Sequence, residues 1–229
     1  MLEAIKSLGW VTEPSPVSAL PTMGQQLGTA WLGAKRDDLL PALHGGSKVR
    51  KLDVLLAHPP WSNARALASF GAIGSGHLAT VGAAARLLGR DFDAYTFWEP
   101  LSDGVLDNLA LTATAARRLA FFPSRPGLGL RHPLALLGAT LKGATVIPPG
   151  ATNPLGTLGM VKAGLELAAQ IDAGLLPRPH RLYVAWGTGG TAAGIAVGLG
   201  LAGLDTTVVA VATVERLLSP AARLRQIVA

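Results

Sequence analysis

Apolar positions along this chain switch repeatedly between a two-residue and a three-to-four-residue period, as a strand–helix alternation requires. Strand-like runs fall at Thr29–Leu32, Ala66–Phe70, Phe92–Trp98, Thr145–Ile147, Arg181–Ala185 and Thr207–Ala212. Helix-like runs begin at Val49–Leu56 and continue with His77–Gly89, Val105–Ala120, Leu134–Lys142, Gly159–Asp172 and Ala192–Leu201. Gly89 closes the second of these in the manner of a C-terminal stop. The pattern predicts an α/β protein with mostly parallel sheets flanked by helices. Stretches rich in Pro and Gly at Pro123–Gly129 and Pro148–Asn153 are candidate crossings between two lobes.

Composition narrows the picture. Over 229 residues, 49% are hydrophobic and 15% charged, which marks a globular chain with a sizeable core. Cysteine is absent, so disulfides, thiolate catalysis and cysteine-held metals are excluded. That fits a reducing compartment, and the cytoplasm is the expected location. The net charge of +6 comes from scattered basic residues with no aromatic interleaving, so no nucleic-acid partner is expected. A positive field suits anionic small molecules instead. Leu182–Leu204 is uncharged over a length that spans a bilayer, but seven glycines interrupt it. Strand, loop and buried helix account for it better, and no membrane partner is expected. His44, His58, His132 and His180 show no metal spacing.

Two glycine-rich segments carry the candidate chemistry. In Gly45-Gly46-Ser47-Lys48-Val49-Arg50-Lys51-Leu52 a lysine amine follows a glycine pair at a helix start. An amine must be neutral to attack a carbonyl. The charges of Arg50 and Lys51 and the helix N-terminus are expected to lower the Lys48 pKa. Lys51, one turn on, shares that face. In Gly187-Thr188-Gly189-Gly190-Thr191 a turn opens the helix at 192, where backbone N–H groups and hydroxyls suit a phosphate. A dinucleotide fingerprint is the competing reading. Ala192 stands where its third glycine belongs, and Asp205 is a poor ribose partner. Ser75, between Gly74 and Gly76 at the head of the 77–89 helix, suits either a carboxylate or a helix cap. His77 either faces a bound group or caps the same turn. Asn153, Gly156, Thr157 and Leu158 repeat the anion-binding pattern before the 159–172 helix, with capping as the alternative.

Five stretches in order resemble the fold-type II pyridoxal-phosphate enzymes, in particular the aminocyclopropane-carboxylate deaminase and D-cysteine desulfhydrase family. They are Lys35-Arg36-Asp37-Asp38-Leu39, the segment 45–52, Gly71-Ala72-Ile73-Gly74-Ser75-Gly76-His77, Ile147 to Gly156, and the glycine loop 187–194. The resemblance implies a two-lobed fold, with a large domain over 1–50 and 155–229 and a small domain over 51–154. It implies pyridoxal 5'-phosphate as cofactor and Lys48 as the imine lysine. Lys51, Gly187, Thr188, Gly189, Gly190 and Thr191 would hold the phosphate. Ser75, Gly76, His77 and Thr157 would bind substrate, with Ser75 also relaying the α-proton. Trp98 and Glu99 resemble a position near the substrate side, although an aromatic at a strand end is expected in the core.

Two departures qualify the resemblance. The family's Ser-Asn-His is Ser75-Gly76-His77 here, so the asparagine contact to the cofactor ring oxygen is lost. Set against the family's usual length, about a third is missing here. That third supplies the group facing the pyridine nitrogen and a tyrosine near the substrate, and Ser219–Ala229 reads as a helix cut short. The expected activity is α-proton removal and β-elimination from a small amino acid, rather than cyclopropane opening. The expected partners are that amino acid and either a second copy in a homodimer or a complementing C-terminal segment. A non-catalytic cofactor-binding relative is the alternative, and a nucleotide-binding domain indifferent to Lys48 is a third.

Overall fold

A computed structural model describes residues 5–124, 126–127 and 137–213, and the reading of Ser219–Ala229 lies outside them. The chain divides into two compact units. One takes Gly9–Val54 and the residues from Thr152 onward, and the other Leu55–Ala151 with Lys6–Leu8. The crossings therefore fall at 54/55 and 151/152 rather than 50/51 and 154/155. The first lies inside a helix, because the buried run Val49, Leu52, Val54 and Leu55 continues without a breaker.

The second unit holds a four-stranded parallel sheet in the order β5-β4-β3-β6. Its strands are β3 (Ala66–Ala72), β4 (Asp91–Phe97), β5 (Arg118–Phe122) and β6 (Ala144–Val146). Helices α3 (Gly76–Leu87) and α4 (Asp103–Ala115) pack on each other, and α3 packs on the sheet. β3 is nearly continuous in burial, as a central parallel strand should be. The expected helix 105–120 ends at Ala115 and its tail is β5. Arg117 decides the break: its N–H donates to Phe92 O (2.8 Å) and its guanidinium binds buried Asp93 (2.9 Å). Residues 137–141 are helical, while 134–136 lie outside the described part.

In the first unit, β1 (Val17–Ala19) pairs antiparallel with β2 (Gly33–Lys35), and α1 (Pro21–Gln26) lies between them in sequence. The strand expected at Thr29–Leu32 is displaced. Thr29 N–H instead closes the turn after α1 on Gly24 O, and its hydroxyl donates to Trp31 O. Helix α2 spans Ser47–Leu55, α5 Pro154–Asp172 and α6 Gly190–Leu201, with β7 (Arg181–Trp186) parallel to β8 (Thr207–Ala212).

Glycines let the three helices touch by backbone. A Cβ on Gly159 of α5 would lie 2.0 Å from Arg50 O of α2. One on Gly198 of α6 would lie 2.4 Å from Val161 O of α5. Leu167, Leu176 and Leu199 form the core beside this seam. Among the described residues no helix is long and apolar enough to cross a membrane.

Candidate functional site

The first unit builds a donor-rich cup at the start of α6. Gly189 is its N-cap at φ 89°, a left-handed conformation that favours glycine. Gly190, Thr191 and Ala192 form the first turn, whose N–H groups have no partner within the helix. Thr188 Oγ1 lies 2.6 Å from Thr152 Oγ1, and Lys51 Nζ donates to Thr152 Oγ1 at 3.3 Å. A Cβ on Gly190 would stand 2.8 Å from Thr152 Oγ1 and 3.1 Å from Lys51 Nζ. Any side chain there would fill the cup.

Lys51 reaches this point from a buried helix. The turn before α2 runs through four left-handed residues, Leu43, His44, Gly45 and Gly46. A Cβ on Gly45 would lie 2.3 Å from Asp38 O, so this position demands glycine. Such strain, about 1–2 kcal/mol for each non-glycine residue, persists where surrounding contacts over-determine the backbone. Lys51 is 1% exposed. Burial, and then the charge of Lys48, push its pKa down to about 7. Lys48 is also lowered, by burial.

The expectation that Arg50 lowers the Lys48 pKa is corrected. Arg50 is 3% exposed and its charge is consumed elsewhere. Its guanidinium binds Asp37 (2.8 Å), Glu166 (2.8 Å) and Ser15 Oγ (2.9 Å). Lys35 pairs with Glu166 and donates to Gln170 Oε1 (2.8 Å). Burial lowers the Lys35 pKa despite that pairing. Burial would raise the Glu166 pKa, but hydrogen bonds from Arg50 and Lys35 hold it below the usual carboxylate value.

The segment before α5 is not a second anion cup. The helix starts at Pro154, and Asn153 caps it by accepting from Gly156 N–H (2.8 Å), while Thr157 N–H donates to Asn153 O (2.9 Å). Asn153 thereby engages two of the first-turn donors itself. Thr157 sits inside the helix, 5% exposed, with its buried Oγ1 lacking a hydrogen-bond partner among the described residues.

In the second unit, Ser75 precedes α3 with an extended backbone, and its hydroxyl makes no capping bond. His77 neither caps this turn nor faces outward. It is 6% exposed, with Nε2 2.9 Å from Ser69 Oγ. Because that hydroxyl donates to Ile147 O (2.9 Å), Nε2 carries the proton and donates to Ser69. Trp98 is 51% exposed, contrary to the expectation of a core aromatic, because it lies beyond the end of β4. No group of three His, Cys, Asp or Glu among the described residues is placed to hold a metal.

Sequence reasoning missed Thr152, whose hydroxyl joins Lys51 to Thr188. The only signal was its place in the Pro-Pro-Gly-Ala-Thr-Asn-Pro stretch, where Gly150 and Ala151 turn left-handed. It also missed Asn108, which donates from α4 to Gly74 O (3.0 Å).

Residues 11–226 match the family described as pyridoxal-phosphate dependent enzyme. The chain belongs to that family. Its cofactor is pyridoxal phosphate. A Pyrococcus horikoshii protein carrying a provisional assignment as 1-aminocyclopropane-1-carboxylate deaminase is 31% identical over 212 residues, or 91% of this chain. The chain spans 62% of that protein's length. The crystal structure of an ACC deaminase homologue matches with a TM-score of 0.83 and 28% identity, covering 99% of this chain and 69% of that one. A threonine deaminase from T.th. shares the fold at a TM-score of 0.71 and 21% identity, covering 92% and 63%. The cup suits the family's cofactor on its own chemistry: one lysine amine, two hydroxyls and a helix N-terminus form a cationic set of donors for a phosphate.

Proposed function

We propose that this chain carries the cofactor site of a pyridoxal-phosphate-dependent deaminase or lyase for a small amino acid. The single observation that carries the reading is the meeting of Lys51, Thr152 and Thr188 at the glycine start of α6. Lys51, the two hydroxyls and the first-turn N–H groups of α6 hold the phosphate. Lys48 offers its amine to the cofactor aldehyde, and burial favours the neutral form that reacts. When bound, the cofactor supplies an electron sink for the pair left on Cα. Ser75 receives the α-proton, and the N–H groups of Gly76 and His77 hold the substrate carboxylate. Thr157 is assigned to the substrate through its side chain alone, whose Oγ1 has no hydrogen-bond partner among the described residues. In the D-cysteine desulfhydrase-like reaction, the amino acid loses its α-proton and β-substituent and takes up water. A keto acid and ammonia leave.

A chain that binds cofactor without turnover is the second reading, favoured by Gly76 at the family's asparagine position. Purified protein mixed with pyridoxal phosphate should develop the visible absorption band of the lysine-linked cofactor, and Lys48→Ala should abolish it. A wild-type chain without that band sinks both readings. A band without keto-acid release from any small amino acid selects the second.

A further inference from the structure

The turn between β3 and α3 is built almost without side chains of its own. Gly74 and Gly76 flank Ser75, whose hydroxyl does not cap the helix. Backbone conformation alone therefore decides where the first turn of α3 points. Glycine at position 74 provides no steric restraint on its own φ and ψ. The restraint comes from outside. Gly74 N–H donates to Glu99 Oε1 at 2.7 Å, and Asn108 Nδ2 donates to Gly74 O at 3.0 Å. The N–H belongs to one peptide plane and the carbonyl to the next, so each plane flanking Gly74 is pinned by one side chain. Glu99 follows β4 and Asn108 lies on α4, so the pins come from two separate elements.

Packing leaves no slack. A Cβ on Gly74 would stand 2.7 Å from Val105 Cα, so the turn lies directly on α4. One on Gly71 would stand 2.8 Å from Ser75 Oγ, so Ser75 folds back over the strand end. A Cβ on Gly76 would meet nothing closer than Asn108 Nδ2, in ordinary contact at 3.9 Å. With no side chain at 76, ligand contact falls to Ser75 and backbone N–H groups, which raises the demand on whatever aims them.

We propose that Glu99 and Asn108 are positioning residues that fix Gly74 and so aim Ser75 and the first turn of α3 at the substrate carboxylate. The inference rests on the assignment of that turn made above. Its test is amide exchange by NMR on the full chain, followed at Ser75 and Ala79, whose N–H groups donate to Ala72 O and Ser75 O. Glu99→Ala and Asn108→Ala should each speed exchange at both amides about tenfold, the loss of one hydrogen bond. Glu99→Gln, which keeps the acceptor, should restore near wild-type rates. With pyridoxal phosphate bound, the two alanine variants should keep the lysine-linked band. The amino-acid concentration giving half its maximal change should rise about tenfold, with the maximum unchanged. Wild-type exchange in both alanine variants overturns the proposal. So does faster exchange spread through β3 and α3, which would make the pair merely structural. A wild-type chain lacking the band overturns the cofactor reading instead, and the exchange rates still decide the clamp.

Discussion

At the scale of single residues, Lys51 is the group whose chemistry is most altered by folding. An amine with a pKa of about 7 is largely neutral above that pH, yet a phosphate dianion beside it favours the charged form. Phosphate binding should therefore draw in a proton at about pH 8.5, between the folded value and the ordinary lysine value. Calorimetry in buffers of differing ionisation heat reads that uptake directly. Lys51→Met should remove it and weaken inorganic phosphate binding by roughly tenfold to a hundredfold, the worth of a charge-assisted hydrogen bond. Equal uptake in the variant would assign the proton to another group. Lys51 was legible because it lies one turn after Lys48. Thr152 was not, because it stands 101 residues away in sequence and nothing local marks its hydroxyl. The neutralisation of Arg50 was hidden for the same reason, with Asp37 and Glu166 lying 13 and 116 positions off.

Among the elements, α3 was read to within two residues because Gly89 marks its end. Helix α5 was begun at Gly159, although its Asn153 cap and Pro154 start it five residues earlier. Strands were read poorly where pairing rather than composition made them. β8 falls where expected. β5 was absorbed into a helix because its Ala- and Arg-rich approach favours helix locally, and only its pairing with β4 decides otherwise. β1 and β2 are short and paired to each other across α1, which period alone does not reveal. The glycines between α2, α5 and α6 act as contact surfaces in the fold. Gly159→Ala tests this. Its Cβ would meet a backbone carbonyl rather than a movable side chain, so α5 must shift from α2. Urea denaturation should report a loss of about 1–3 kcal/mol. A stability equal to wild type would mean that α5 moves without cost.

For the whole molecule, titration sets the response to pH. Glu166 is held below its unfolded value of 4.5, so its stabilising contribution is full above that pH and is lost as pH falls through the folded value. Lys51 works in the opposite range. Between about 7 and 10.5 the unfolded chain holds a proton that the folded chain has shed, so its term makes stability rise with pH. The urea midpoint of the cofactor-free protein should climb from pH 7 to pH 9, and Lys51→Met should flatten that climb. A midpoint falling over this range in both proteins would contradict the burial described here.

The α/β class and the order of motifs were visible in the sequence at this scale. What covers β7 and β8 was not: Tyr183 is 61% and Val211 49% exposed on a parallel pair, a sheet type ordinarily covered on both faces. The burial of Lys51 carries one more consequence. In mildly alkaline solution the nascent chain must discard protons to reach its native state and regain one when phosphate arrives. Folding and loading are thus opposite halves of an acid–base cycle, and in such solution the native protein awaits phosphate with its Lys51 amine largely uncharged.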